Sequence, residues 1–402
     1  MIRRLGGGDR WFTGLLLCAT ILQSATAVAR PMVSYRALHI GMPPETLGLI
    51  ATAFALAPVI LALTIGRRID RHGPFPFLLG AALLQGVAAI ALIFVTSAPT
   101  LLAGTALLGL SQLVFVVANQ TLVGSRSHLE TYDQRFSSLS FVASLGQLIG
   151  PISAGLIAGS VIGGATSEGS TSSVGTNLAL LFGATLSVIA LPVIILIWRR
   201  DPGPVAAPDD EEAGGRSAWQ ILRMPGMAPA MLASLTVLSV MDVLVVYLPA
   251  LGEERGLPVE VVGALLSVRA AASMASRLTL ADMIRRFGRP RLMIGSMLVA
   301  AFAVVSLAVL PLPLMFVAMA IAGATLGVTQ PMTMSWVAAR ATHDTRGMAM
   351  SLRLFGNRAG QVVIPLAAGT VAAVTGAAGV LAAAGITVAV TAAVVAARRP
   401  QQ

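Results

Sequence analysis

The sequence predicts an all-α membrane protein with twelve transmembrane helices arranged as two six-helix pseudo-repeats. Two features of its composition favour this class before any motif is considered. Hydrophobic residues make up 56% of the 402 positions, a count that leaves out 40 glycines, and charged residues make up only 11%. A soluble domain has about 45–50% apolar residues with glycine included and about 25% charged residues. The charges are therefore too few to cover the surface of a soluble protein.

Twelve apolar runs are each long enough to cross a bilayer as a helix, which needs about 20 residues. Helices and closed barrels are the only structures that satisfy their backbone in lipid, and the strict alternation typical of barrel strands is absent. The runs lie at about 12–38, 45–66, 75–97, 99–124, 136–162, 177–198, 227–251, 258–281, 292–310, 312–337, 348–373 and 376–397. We therefore predict a helix for each.

The first run has a second interpretation, a cleaved secretory signal peptide. Arg3 and Arg4 precede it, and small residues such as Ala27 and Ala29 follow its apolar part. However, the apolar run continues past the cleavage site that this interpretation requires, and eleven further runs follow. A retained first helix is the expected outcome.

The net charge of +10 could indicate nucleic-acid binding, but the positions of the arginines favour a topology signal. With the N-terminus inside, 20 of the 27 basic residues fall in inner segments and one, Arg255, falls in the outer loops. An excess of arginine on the cytoplasmic side is the positive-inside pattern. We therefore predict a multi-pass protein of the inner (plasma) membrane with both termini in the cytoplasm, in contact with lipid and without a nucleic-acid partner.

The longest hydrophilic stretch, 199–226, divides the chain into two sets of six runs. It contains several prolines and the acidic run 209–212, a composition typical of a flexible tether. We therefore predict an N-terminal six-helix bundle at 1–198, a cytoplasmic linker, and a C-terminal six-helix bundle at 227–402. Within the linker, Ser217–Met224 is compatible with a short interfacial helix.

Two landmarks recur at nearly the same offset in the two halves. Gly73, which ends the loop after the second run, recurs as Gly288, 215 positions later. Three residues of the fifth run recur 214 positions later in the eleventh, the pairs being Gly146 and Gly360, Pro151 and Pro365, and Gly155 and Gly369. A shared offset indicates a duplicated six-helix unit, the parallel repeat found in one class of secondary transporters.

The loop after the second run contains Gly66, then Asp70 and Arg71 four and five positions later, then Gly73. Asp70 can accept hydrogen bonds from backbone N–H groups at a neighbouring helix start, where the helix dipole favours an anion. Arg71 can pair with a carboxylate. Such a latch on the inner face would bias the side to which a transporter opens. The alternative is a tight turn with a positive-inside anchor.

The fifth run carries small residues at four-residue spacing together with a proline. Gly146, Gly150 and Gly155 allow close approach of a neighbouring helix, and Pro151 removes a backbone donor and bends the helix. These features suit either a gating helix or ordinary close packing.

With these two motifs the chain resembles the major facilitator superfamily over essentially its whole length. The loop motif looks like that of the family, and the fifth run is similar to the motif of the family's antiporters and drug exporters. The arginine that such exporters often carry in the fourth helix is absent, with Thr105 close to its expected place. The resemblance implies the major facilitator fold, alternating access around a central site, and efflux.

Charged residues are absent from the third, sixth, ninth and twelfth runs, where Gln85 is the one deep amide. This agrees with the family's arrangement, in which every third helix is outermost. Polar side chains concentrate in the other runs, which can line an aqueous path. The candidates for contact with substrate or protons are Asp242, Arg30, Arg269, Arg358, Asn357, Gln112, Gln330 and Gln361.

Asp242 is the carboxylate placed well inside a run, about 22 Å of helical rise from the start of the seventh. Arg269, Arg358 and Arg30 reach similar depth, whereas Arg353 lies nearer the cytoplasmic end, where we expect it to snorkel or pair. Ionised groups at the bilayer centre cost at least about 2.5–3.5 kcal/mol each. Either Asp242 exchanges a proton under the influence of these arginines, or it forms a structural ion pair.

We therefore predict a secondary active transporter that couples efflux of a small organic molecule, anionic or amphiphilic, to protons. Three deep cations against one anion favour the anionic class. Uptake by a symporter or facilitator and a non-transporting sensor are the alternatives. An intramembrane enzyme is disfavoured because no histidine lies at depth. No cofactor or metal is expected, and the protein is expected to be a monomer.

Overall fold

A computed structural model describes residues 9–126, 129–160, 173–200, 218–340 and 346–397. Within these ranges the chain is helical, with one 3-10 turn at Pro44–Thr46 and no strand. The first set of helices comprises α1 Arg10–His39, α2 Leu47–His72, α3 Pro74–Ile93, α4 Ala98–Arg126, α5 Leu129–Gly159 and α6 Ser173–Arg200. The second comprises α7 Ala218–Leu222, α8 Met227–Glu254, α9 Val259–Leu278, α10 Leu280–Phe287, α11 Arg289–Ser306, α12 Leu312–Arg340 and α13 Arg346–Ala397.

Eleven of the described helical segments are long and apolar enough to cross a membrane. The last of them, in α13, contains two of the predicted runs. This helix has 52 residues, and at 1.5 Å per residue it is about 78 Å long, more than twice the hydrocarbon thickness of a bilayer. Gly376 interrupts it with φ 65° and ψ −167°, a conformation that glycine adopts readily. The predicted all-α membrane class is confirmed, and the eleven described segments match the twelve predicted runs when α13 is divided at Gly376.

The first helix lies in the core of the protein. Phe12, Leu15 and Leu22 on α1 are almost fully buried, and the helix packs mainly on α5 and α6. The retained first helix stays a prediction.

The chain divides into two compact units by its contacts. The first comprises Met1–Met42, Leu56–Asp209 and Arg255–Ser267, and the second comprises Pro43–Ala55, Asp210–Glu254 and Val268–Gln402. The start of α2 therefore belongs to the second unit and the start of α9 to the first. Most of the predicted linker, at 201–217, lies outside the described residues, and the boundaries 1–198 and 227–402 stay a prediction.

The short helix α7 occupies part of the segment that is compatible with an interfacial helix. Ile221 on α7 is fully buried, in a small cluster with Met227, Val337 and Ala349. Trp219 on its other side is exposed, and the Arg223 guanidinium lies 4.9 Å from the centre of its ring. The segment is therefore anchored to the second unit by one apolar side chain.

Candidate functional site

In the second unit, a buried carboxylate and a guanidinium are joined through one amide. Asp242 on α8 is 8% exposed, and its Oδ2 accepts a hydrogen bond from Nε2 of Gln361 on α13. The Oε1 of Gln361 accepts from Nη1 of Arg358, one turn earlier, at 3.1 Å. The chain of hydrogen bonds runs from Arg358 through Gln361 to Asp242. These three of the predicted site residues are brought together.

Asn357, next to Arg358 on α13, adds an open acceptor. Its side chain is buried, and its Oδ1 has no hydrogen-bond partner in the part of the chain that the structure describes. A buried amide oxygen without a partner costs about 1–3 kcal/mol. Asn357 therefore offers an acceptor that a ligand or water could satisfy.

Arg269 is buried in α9 at a point where this helix touches α12. A Cβ on Gly323 would lie less than 3.0 Å from the Arg269 carbonyl oxygen, so the two backbones can approach only because position 323 is a glycine. One turn further, a Cβ on Gly327 would lie less than 3.0 Å from Cα of Ser273. The glycines fix the register of α9 on α12 and thereby the position of the Arg269 side chain.

Gln330 belongs to a different cluster from Asp242. Its Nε2 donates to the carbonyl oxygen of Ser234 at 3.0 Å, and its Oε1 accepts from Nη2 of Arg353 at 3.0 Å. The same Nη2 lies 3.2 Å from Oγ1 of Thr333. Arg353 is only 6% exposed, so it pairs within the protein instead of snorkelling. Sequence reasoning did not include Arg353 among the site candidates. Gln330 and Thr333 lie three positions apart on α12, and this spacing indicated that they share a polar partner.

In the first unit, four side chains form a connected amide and hydroxyl network. Nε2 of Gln112 donates to Oε1 of Gln23 at 2.9 Å, and Oγ1 of Thr26 donates to Oε1 of Gln112 at 3.0 Å. Nε2 of Gln85 donates to Oγ1 of Thr26 at 3.1 Å and to the carbonyl oxygen of Leu22 at 3.0 Å. The network joins α1, α3 and α4 and contains no ionised group.

Gln85 has a structural role that the sequence did not show. It is 1% exposed and points from α3 towards α1, so an amide in an outer helix is not exposed to lipid. Arg30 lies on α1 one turn after Thr26, is partly buried, and belongs to the first unit. Its predicted influence on Asp242 stays a prediction.

Replacing Gln85 with Leu should lower the stability of the first unit by about 1–2 kcal/mol, because buried hydrogen bonds to α1 are lost. The measurement is the midpoint of thermal unfolding of the purified protein. Gln147→Leu is the matched control, since Gln147 is exposed on α5 and has no hydrogen-bond partner among the described residues. Equal midpoints for the two variants would contradict the role given to the Gln85 network.

The glycines of α5 bring this helix close to α1. A Cβ on Gly146 would lie 2.6 Å from Cβ of Gln23, and one on Gly150 would lie 2.5 Å from Cβ of Ala27. Real Cβ atoms essentially never approach within 3.0 Å. Any side chain at either position would therefore push α5 away from α1 and disturb Gln23.

The C-terminal part of α5 packs on the start of α9 within the first unit. A Cβ on Gly155 would lie 3.0 Å from Cα of Glu260, and one on Gly263 would lie even closer to the carbonyl oxygen of Pro151. Contact between the helices therefore requires glycine on both. Pro151 and Gly155 of the fifth-run motif therefore both lie at the contact between α5 and α9.

The same contact recurs in the second unit at the repeat offset. A Cβ on Gly48, at the start of α2, would lie less than 3.0 Å from the carbonyl oxygen of Pro365 in α13. Gly48 and Gly263 are 215 positions apart, and Pro151 and Pro365 are 214 apart. The sequence repeat thus extends to a matched pair of backbone contacts. Sequence reasoning missed Gly48 and Gly263, although the offset alone would have paired them.

The loop motif forms a turn at the end of α2. Gly73 has φ 80° and ψ 160° and precedes α3, and Gly288 repeats this with φ 73° and ψ 148° before α11. Asp70 and Arg71 are exposed, and no hydrogen bond to Asp70 exists among the residues that the structure describes. A Cβ on Gly66 would meet open space. The turn is present, and the latch function of Asp70 and Arg71 stays a prediction.

Ionic and aromatic contacts cluster at the start of α1. Asp9 forms a salt bridge with Arg135 of α5, whose guanidinium lies 5.1 Å from the ring centre of Trp11. Arg126 at the end of α4 lies 5.6 Å from the same ring. Within the described residues, no group of three or more His, Cys, Asp or Glu side chains could hold a metal ion.

Comparisons with known proteins point to a single family. The model described as Major Facilitator Superfamily matches residues 15–313 and 230–402. No curated protein matches the sequence. Among solved structures, the nucleoside transporter NupG has a TM-score of 0.76 at 13% identity, covering 98% of this chain and 100% of its own.

Two further solved structures have the same fold. A bacterial homologue of the human lysosomal transporter Spinster has a TM-score of 0.75 at 14% identity, with 97% of each chain covered. A POT family transporter in complex with 5-aminolevulinic acid has a TM-score of 0.77 at 13% identity, covering 97% of this chain and 96% of that chain. At such low identities the likeness concerns the fold.

Proposed function

The chain belongs to the Major Facilitator Superfamily, and we propose that it is a proton-coupled exporter of a small organic anion. The family and the structural neighbours indicate a membrane transporter and not an enzyme. The observation that carries the finer proposal is the chain of hydrogen bonds that joins the partly buried Arg358 through Gln361 to the buried Asp242. In this account Asp242 takes up and releases the proton.

The hydrogen-bond chain links the protonation of Asp242 to the position of the Arg358 side chain. Ionised Asp242 only accepts hydrogen bonds, and this holds the donor end of Gln361 towards it and the acceptor end towards Arg358. Protonation gives Asp242 a donor and removes the negative charge that polarises the amide. Gln361 then holds Arg358 less strongly, so the guanidinium leaves the position in which it binds the anion, and proton uptake favours release of the anion as exchange requires.

An anionic substrate is supported by the charges buried in the second unit. Arg269 and Arg353 are almost fully buried, and Arg358 lies on the same helix as Arg353. Guanidinium groups bind carboxylates and phosphates through two parallel hydrogen bonds. Oδ1 of Asn357, which has no hydrogen-bond partner among the described residues, adds an acceptor for a donor group on the same ligand. An anion that also carries a hydrogen-bond donor fits this set.

The proposal also states the direction of transport, the topology in the membrane and the oligomeric state. The helix-five glycines and Pro151 resemble the antiporter motif and favour efflux, and uptake is the competing direction. The distribution of arginines favours the inner membrane with both termini in the cytoplasm. The protein is proposed to act as a monomer, with substrate and protons as its partners and no cofactor.

The proposal predicts that anionic compounds will dissipate a proton gradient in inside-out vesicles containing the protein, because efflux is exchanged for protons. A pH-sensitive dye reports the gradient while anionic, zwitterionic and cationic compounds are added in turn. Vesicles without the protein are the control. A response to lipophilic cations and to no anion would overturn the substrate class, and no response to any class would favour the non-transporting sensor.

A further inference from the structure

Arg353 is a buried cation for which the described part of the chain supplies no carboxylate. Its printed hydrogen bonds all come from Nη2, and they reach the carbonyl oxygen and Oε1 of Gln330 and Oγ1 of Thr333. Neither α12 nor α13 contains an acidic residue, and Asp344 lies outside the described residues. A buried charge is ordinarily paired with an opposite charge. Here the acceptors are uncharged, so the positive charge is not compensated among the described residues.

Two buried donors of this cluster have no acceptor. Nε of Arg353 has no hydrogen-bond partner among the described residues, and neither has Oγ of Ser234 on α8, whose side chain is fully buried. The two residues are joined through Gln330, whose Nε2 donates to the carbonyl oxygen of Ser234 and whose Oε1 accepts from Arg353. Both ends of the Gln330 amide are therefore in use. A group that satisfies the two donors must accept hydrogen bonds, and one that also compensates the guanidinium must be an anion.

We propose that Arg353 and Ser234 form a second anion-binding site, which takes a carboxylate or another small anion. Guanidinium groups bind such anions through charge-assisted hydrogen bonds, and a serine hydroxyl can donate one more. Gln330 and Thr333 hold Nη2 of Arg353 against α12 and thereby fix the position of the guanidinium. Gln330 is only partly buried, so the cluster borders on accessible space.

The second anion site lies at a different depth from Asp242. Ser234 precedes Asp242 by eight residues on α8, and Arg353 precedes Gln361 by eight residues on α13. Eight residues correspond to about 12 Å of helical rise. The two polar clusters are therefore successive positions along the same two helices, and the second anion site is nearer to the end that the arginine distribution predicts to be cytoplasmic.

This depth gives the site a place in transport. An anion that enters from the cytoplasmic side would meet Arg353 before it reaches Arg358 and Asn357. This use in transport rests on the proposed export of an anion, whereas anion binding by Arg353 and Ser234 does not. The binding step can therefore be tested without a substrate.

The test is quenching of tryptophan fluorescence by iodide in the purified full chain at constant ionic strength. Iodide is an anion that quenches an indole ring on close approach. Trp336 lies one turn after Thr333 and packs against the same apolar cluster as Leu352, the residue before Arg353. Wild-type protein should show a saturable component of quenching that Trp336→Phe lacks. Acetate, a carboxylate that does not quench, should raise the half-saturating iodide concentration severalfold. Strictly linear quenching of the wild type, or no effect of acetate, would overturn the proposal.

Arg353→Gln should remove the saturable component, and Arg340→Gln should keep it. Arg340 is exposed at the end of α12, and its Nη1 donates to the carbonyl oxygen of Pro225. The same Nη1 and Nε1 of Trp336 both lie near Gly226. Arg340 is therefore the matched control for anions attracted only to the surface around the reporter. Saturable quenching that persists in Arg353→Gln, or that disappears in Arg340→Gln, contradicts the assignment. The neutral quencher acrylamide should act equally on all three proteins.

Ser234→Ala provides a second variant in case Arg353→Gln does not fold. Oγ of Ser234 has no hydrogen bond to lose among the described residues, so the variant should be as stable as the parent. Iodide affinity should fall about tenfold, because a hydrogen bond to an anion is lost. Unchanged affinity would count against the site. Since neither substrate nor a proton gradient is used, failure here leaves the role of Asp242 open, and failure of proton-coupled export leaves the anion site standing.

Discussion

Replacing Asp242 with Asn is expected to abolish substrate-dependent proton movement while leaving the protein folded. Asparagine has nearly the same size and can still accept the hydrogen bond from Gln361, but it cannot take up a proton at physiological pH. Transport driven by a proton gradient should fall to the level of vesicles without the protein. The measurement is the dye response across a range of pH, together with the midpoint of thermal unfolding.

Asp282→Asn is the matched control for this experiment. Asp282 lies on α10, is exposed, and pairs with Arg285 three residues later. Exposed pairs of this kind contribute about 0–1 kcal/mol, so neither transport nor stability should change. Retained transport with an unchanged pH profile in Asp242→Asn would contradict the proton role.

A double variant separates the proton role from a structural ion pair. If Asp242 serves only to compensate the charge of the partly buried Arg358, the single change to Asn should destabilise the protein, and adding Arg358→Gln should restore stability and transport. Truncating one partner of a buried pair typically costs about 3–5 kcal/mol. If Asp242 carries the proton, the double variant stays inactive whatever its stability. Recovery of transport in the double variant would therefore support the structural alternative.

Adding a methyl group at Gly48 or Gly263 is expected to impair transport strongly. The Cβ of Gly263→Ala would collide with the carbonyl oxygen of Pro151, and that of Gly48→Ala with the carbonyl oxygen of Pro365. Because backbone atoms cannot rotate away, the helices must separate. Overpacking of this kind costs about 1–3 kcal/mol, and it removes any conformation that needs the contact. Transport rate and thermal midpoint should both fall.

Gly80→Ala and Gly295→Ala are the controls for the two glycine variants. Both glycines are helical, in α3 and α11, and a Cβ on either would meet no atom within 4 Å. Alanine favours a helix by about 1 kcal/mol over glycine, so these variants should be as stable as the parent or slightly more so. Glycine contacts are not required for transport if all four variants behave alike.

The sequence was sufficient for the helices but not for the direction that each side chain faces. Uninterrupted apolar length predicted the crossing segments, including the division of α13 near Gly376. Gln85 was placed in an outer helix, and nothing in its neighbours along the chain indicated that it reaches α1. The facing surface of a helix depends on its partners, and these are set by tertiary packing.

Part of the candidate site could be anticipated from charge alone. Asp242 and Arg358 stood out because ionised groups are rare at depth, and the structure joins them through Gln361. Arg353 was expected to snorkel or pair near the cytoplasmic end of its helix, and it pairs with Gln330 and Thr333 of α12 while almost fully buried. Depth along a helix does not determine exposure.

The central claim, proton-coupled transport through Asp242, is tested most directly with purified protein in liposomes that carry an imposed pH gradient. Wild-type protein and Asp242→Asn are compared while an anionic compound is added and the internal pH is recorded. The gradient is expected to collapse with wild-type protein alone, and only in the presence of the anion. Equal proton movement by both proteins, or none by the wild type with any class of compound, would contradict it.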